Sequence, residues 1–496
     1  MLVHDLELPR ICLSTEIDKM LQELEETVSK ANQGTVGPFT AFQAIDHATE
    51  LSRVSPDLYE GCSVSTDIRP LHTSPPRPSS GSVYIDSAAA ELMHNYIHIV
   101  SNVLQPVHHP KNPYRSIYAP QAMATGHIVV GIGEKPSHSG VALSHGLLAV
   151  SAFYLHRLHQ EDRHYDKIAR LHRMKAISNL KSALLMGEET SGGLTALLAM
   201  LSLVSIDLME GGMTEFWIHL DGCEKLKASL RDPGMRSSRH TQLTSICSFM
   251  NMLSQSTAPY TIPKLSFGGS ESLGELLKSS PFLPDNHTLE FTYGATATLA
   301  SYLYLTISLS QSFAYFEVND LPPPPNLQKT CTTLFNAISS WSICQETFAS
   351  LSETDYETRS LITCYATAFH AAAMIYFHTI LRYPASHSNM KTYNQICVSN
   401  LLAAEALKLA DHAKKSWNVM APIVWPGFIA ACEASASERF LWRKWWTVTQ
   451  KYCIGSIETL WAVVQEVWKE SDEGAIEQPG WRDVLRRRGK RVMSGG

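Results

Sequence analysis

Apolar residues recur at intervals of three and four along most of the chain, the spacing that lines them up on one face of an α-helix. That period predicts helices over residues 87–104, 145–160, 165–186, 194–208 and 214–230, and again from residue 327 to about residue 488. Alternation of period two, the mark of a half-buried strand, is nearly absent. The fold class expected is all-α, a large multi-helix bundle. Trp442, Trp445, Trp446, Trp461 and Trp468 fall in what reads as one long late helix and predict an aromatic core stripe.

Where the pattern stops, the chain divides. Residues 1–61 form an N-terminal segment with a short amphipathic helix at 17–31, capped by Ser14 or Thr15 and closed by Gly34. Ile17, Leu21, Leu24 and Val28 form a seam about two heptads long on it, read first as a docking face and alternatively as a dimer seam. Residues 62–85 carry Pro75, Pro76 and Pro78 beside Ser79, Ser80 and Gly81 and read as a flexible linker. The helical body spans 86–496, interrupted by a partly mobile excursion at 231–286 and an extended proline connector, LPPPPN, at 321–326.

Composition narrows the class. Hydrophobic residues make up 44% and charged residues 18% of the 496, so most of the chain is expected to fold. A formal net charge of -6 supplies no general field for a phosphate backbone. The first residues lack the pattern of a secretory signal, so the chain is expected to stay inside the cell. Ten dispersed cysteines then read as small hydrophobes in a reducing compartment. Two apolar runs, 193–209 and 291–316, are laced with Ser and Thr and read as buried core helices, so no membrane association is expected.

Motifs for chemistry mostly fail on inspection. No C-x2-C pair occurs, and a tetrahedral zinc knuckle needs such pairs, so the chain is expected to lack a zinc cluster of its own. His94 and His98 share a helix face, but Asn95 stands where a zinc protease has its glutamate. His156, His159, His164 and His172 sit among Arg and Lys, which oppose a bound cation. In HIVVGIGEK, Gly131 and Gly133 open a dinucleotide-like loop that Pro136 spoils at the third position. No catalytic residue, metal ligand or cofactor is assigned, and the chain is read as not an enzyme. Arg486, Arg487, Arg488, Lys490 and Arg491 form a basic run near the C-terminus. It suits an import receptor as a nuclear localisation element, or a phosphate, and equally the last turn of a helix ended by Gly489.

A series of segments carries a resemblance. In order these are ELMHNYIHIVSNVLQP from Glu91, NPYR from Asn112, HGLLAVSAFYLHRL from His145, LHRMKAISNLKSALL from Leu171 and LTALLAMLSLVSIDLMEGG from Leu194. Next comes FWIHLDGCEKL from Phe216, similar to a Trp-x-x-His-x-x-Gly-Ala segment with Cys223 in place of the alanine. VWPGFIAACEASASERF from Val424 follows, similar to a Trp-Pro-Leu-Phe element with Gly427 in the leucine position, and then TLWAVVQEVWKE and PGWRDVLRRRG. Together they resemble the fungal-specific transcription factor domain, in the branch of arginine-metabolism and acriflavine-resistance regulators.

That resemblance implies an all-helical domain governing an attached zinc-cluster module, acting in the nucleus on metabolic or biosynthetic gene clusters, secondary metabolism included. Its implied partners are other transcription factors or coactivators, with a small-molecule effector between helices as a further candidate. Direct sequence-specific DNA binding is not expected of this chain alone; a partner supplies it, or the chain is a truncated factor. Homo- or heterodimers fit either case. The alternatives are a helical enzyme or ligand-binding protein of a biosynthetic pathway, and a heterodimerising scaffold.

Overall fold

Helix α1, Ser87–Asn95, passes through a π-turn at Tyr96–Val100 into the short α2, Ser101–Val103, so the helix expected at 87–104 is present but widened in its middle. The computed structural model describes residues 87–125, 137–159, 163–187, 189–229, 238–267, 272–282, 288–348, 351, 355–414, 420–474 and 480–493. The 17–31 helix, the 62–85 linker and HIVVGIGEK lie outside the described residues. Among the described residues there are helices and loops and no strand.

Asn112 shapes the first bend. Its side chain accepts from the amide of Tyr114 at 2.9 Å and donates to the Ser101 carbonyl at 2.9 Å, steering the chain into a second π-turn at Tyr114–Tyr118 and then α3, Ala119–Thr125. The middle of the fold is the packed trio α4, His138–Leu158, α5, Arg163–Leu185, and α6, Glu189–Glu210. Ser137 caps α4 by accepting from Gly140 N, and α4 is buried at most positions from Ser139 to Tyr154. A Cβ on Gly146 would sit 2.1 Å from Ser202 Oγ, so glycine sets the spacing of α4 and α6.

α7, Phe216–Ser229, leads to α8, Ser238–Ser256, a helix inside the stretch expected to be an excursion. That expectation is corrected: α8 buries Leu243, Ile246, Phe249 and Leu253, and the short α9, Leu273–Lys278, follows it. The serines of α8 disguised a core helix, because a hydroxyl can be buried once it donates to the backbone of its own helix, as Ser256 Oγ does to Leu253 O at 2.7 Å. α10, Thr288–Tyr293, and α11, Ala297–Val318, divide the uncharged 291–316 run. Gly294 at φ +66° ends the first, and Thr296, accepting from Leu299 N, starts the second. α12, Pro325–Ser339, begins inside the proline connector, with proline in its first turn where no amide is needed.

The remaining helices are α13, Tyr356–Ile380; α14, His387–Lys414; α15, Val424–Cys432; α16, Arg439–Thr449; α17, Gly455–Glu473; and α18, Trp481–Arg488. The tryptophan stripe is not on one helix. A 3-10 turn at Gln450–Tyr452 and Cys453 at φ 56° separate α16 from α17, yet Trp446 and Trp461 stack across the break at 5.4 Å. A satellite core joins α9, α11, α12 and α13 through Leu276, Leu309, Leu334 and Phe377.

Among the described residues, the stretches Gly193–Glu210 and Tyr356–Ile380 are long and apolar enough to cross a bilayer; 89% and 72% of their most apolar windows are buried in the protein. Both are core helices here, the first as expected and the second unmarked in the sequence.

Candidate functional site

The most concentrated charge in the interior lies where α5, α6 and α7 meet. Arg173 on α5 donates through Nη2 to Asp207 Oδ1 and to Glu215 Oε2, each at 2.8 Å, and pairs through Nη1 with Glu210. Arg170, one turn earlier, takes the other Glu210 oxygen at 3.1 Å. Asp207, 1% exposed, also accepts from the Glu215 amide at 3.3 Å, and His219 Nε2 lies 3.8 Å from Glu215 Oε2. Burial pushes the Asp207 carboxyl up to about 6 despite Arg173 and His219. At Glu215 burial is outweighed by Arg173 and then His219, which hold it well below the usual carboxylate range. The centre therefore clamps the end of α6 to the start of α7 and carries one group poised to take up a proton.

The backbone behind this clamp is as tight. Gly211 sits at φ +89° against Gly455, where a Cβ would come 2.6 Å from the neighbouring backbone, and Thr459 Oγ1 donates to Gly211 O at 2.7 Å. In this way α17 docks on the α6–α7 corner.

A second buried polar centre lies between α14 and the chain after 420. Lys408, 4% exposed, pairs with Glu405 at 2.7 Å and donates to the Met420 and Ala421 carbonyls. Tyr452 donates to the other Glu405 oxygen at 2.7 Å, and burial lowers the Lys408 ammonium. Every donor here has a partner within the fold, which is the pattern of a structural tie. An apolar cavity lined by Phe249, Leu253, Phe369 and Trp425 has about 10 Å³, room for one water. No group of three or more His, Cys, Asp or Glu able to hold a metal occurs among the described residues.

The histidines singled out from sequence do not converge. His94 at the end of α1 and His98 in the π-turn after it lie with rings 4.3 Å apart, and His98 is lowered by burial, then by His94 and Arg115. The rings of His159 and His164 flank Tyr165, whereas His172 meets His145, Nδ1 to Nδ1, at 2.9 Å. Burial, then Lys175, pushes His172 down to about 4. The basic run ends α18, where Gly489 at φ 58° closes the helix. Arg486 pairs with Asp483, Arg487 with Glu470 and Arg488 with Glu466, while Arg491 lies 4.3 Å over the Trp217 ring.

Arg173 and its three carboxylates were not assembled from the sequence. One signal was present: Asp207 interrupts an apolar run, and a buried acid needs a cation. Nothing local says which of the arginines supplies it.

A family model for the fungal specific transcription factor domain matches residues 91–495. The chain belongs to this family. It is similar to arginine metabolism regulation protein II of Saccharomyces cerevisiae, with 28% identity over 216 residues, 42% of this chain and 24% of that protein. The chain thus spans about a quarter of that relative's length in the match. No solved structure matches it.

The family-like segments now have places. In FWIHLDGCEKL, Phe216 and His219 are buried beside the charge centre, and Trp217 turns outward to Arg491. Cys223, in the alanine position, is fully buried. Gly427 is explained by Trp445: a Cβ at 427 would lie 2.2 Å from the indole, so the tryptophan occupies the space of the missing side chain. PGWRDVLRRRG forms α18, with Trp481 edge-on to Phe428 at 5.5 Å.

Proposed function

We propose that this chain regulates transcription through contacts made by its helical domain, in the nucleus, on genes of a metabolic or biosynthetic cluster. The observation that carries this reading is the family match across 91–495, nearly the whole helical body. The domain's interior fits it: the Arg173 and Lys408 centres tie helices to one another.

On this reading the partners are other transcription factors or coactivators. Sequence-specific recognition of DNA comes from such a partner or from a module outside the present sequence. An effector seated in the cavity lined by Trp425 would have to move helices, since that cavity holds only about 10 Å³. The basic run on α18 supplies the nuclear address.

Deleting the gene and profiling transcripts tests the proposal. The expected result is altered transcript level in a coherent group of metabolic genes, restored by the intact gene. An unchanged profile under every growth condition in which the protein is made contradicts it.

A further inference from the structure

We propose that Arg486, Arg487, Arg488, Lys490 and Arg491 are an import-receptor recognition element that the fold itself masks. This rests on the nuclear reading above. A receptor groove lined with carboxylates takes such a run as an extended peptide, whereas here three of its arginines are wound into α18.

The masking has two layers. Carboxylates of the protein already occupy the guanidiniums: Asp483 on α18 itself, and Glu466 and Glu470 on α17. Exposed pairs of this kind are weak and exchange readily, so alone they would yield to an acidic competitor. The apolar layer is firmer. Trp481, Val484 and Leu485 are buried, and beyond Gly489 the chain does not leave the surface, because Val492 and Met493 are buried too. Thr257 Oγ1 donates to Val492 O at 2.7 Å, and Arg482 donates to Ser256 O at 3.0 Å and Ala258 O at 3.2 Å. The basic run is therefore fastened on both sides, and extending it requires releasing both anchors.

A protein groove fits better than nucleic acid. The formal net charge is -6, and Glu466 and Glu470 of α17 lie against the run, so a polyanion lying across α18 meets repulsion. A receptor that draws the run away from the body avoids those groups.

The test uses the full chain and a purified import receptor, with affinity as readout. Wild type is expected to bind weakly. Glu466→Gln with Glu470→Gln, which leaves the apolar anchors intact, should tighten binding about threefold, and Trp481→Ala at least tenfold. Adding Arg487→Ala and Arg488→Ala to either background should abolish the gain. Equal, arginine-dependent binding by wild type and both variants would overturn the masking and leave the nuclear reading standing. Absence of receptor binding by Trp481→Ala, with tryptic cleavage at 486–488 accelerated to show release, would overturn both. Preference of the released variant for duplex DNA would overturn the choice of partner. Should Trp481→Ala fail to fold, Met493→Ser, which loosens only the buried anchor beyond Gly489, takes its place: no arginine-dependent gain in affinity sinks the proposal.

Discussion

Asp207 is the residue whose ionisation the fold resists. Its carboxyl is raised to about 6 by burial among Arg173, Glu210, Glu215 and His219. A raised acid binds its proton in the folded state before the unfolded chain does, so its contribution to stability grows as pH falls through 6 and is lost as pH rises. Asp207→Asn keeps an acceptor for Arg173 and removes the titration. Comparing stability from urea unfolding at pH 7.5 and pH 5 should therefore show a wild-type gain at the lower pH, on the order of 1 kcal/mol relative to the variant. An identical pH response in both proteins would count against this assignment. Gly427 makes a steric prediction. Gly427→Leu restores the side chain of the family element but drives it into the Trp445 ring, and should cost about 1–3 kcal/mol or more by equilibrium unfolding.

At the scale of elements, Asn394 of α14 holds three helices together. It donates to Ala430 O on α15 at 2.6 Å and accepts from Trp442 Nε1 on α16 at 2.7 Å, fully buried. Asn394→Ala leaves the Trp442 indole N–H unpartnered, while Ala430 O keeps the Glu433 amide, with an expected loss of about 1–3 kcal/mol in denaturant unfolding. Period three-and-four patterning made the helices of the α4 to α7 region legible, with ends shifted by a few residues, because their apolar faces are long and their stops chemically marked. It failed where polar letters serve a core role, as in α8, and where a single residue in left-handed conformation breaks an apolar run, as at Gly294 and Cys453. Trp442, Trp445, Trp446 and Trp468 were correctly read as core, Trp461 is half-buried, and the five were wrongly placed on one helix, since burial follows composition whereas a turn depends on one φ angle.

Across the whole molecule, the all-helical class and the family were legible because they are distributed over hundreds of residues. The charge centre was not, because Arg173 meets Asp207 and Glu215 only after α5, α6 and α7 have packed. The basic run was legible as composition, and its fastening to α17 was not, since Glu466 and Glu470 are indistinguishable in sequence from other surface acids. The account's central claim is that the helical domain carries regulatory output through protein contacts. Fusing the full chain to a heterologous DNA-binding module and reading a reporter in a fungal cell tests that claim most directly. Reporter output is expected to change several-fold relative to the module alone, upward or downward. Unchanged output from a fusion shown to be folded, nuclear and bound at the reporter site would contradict it.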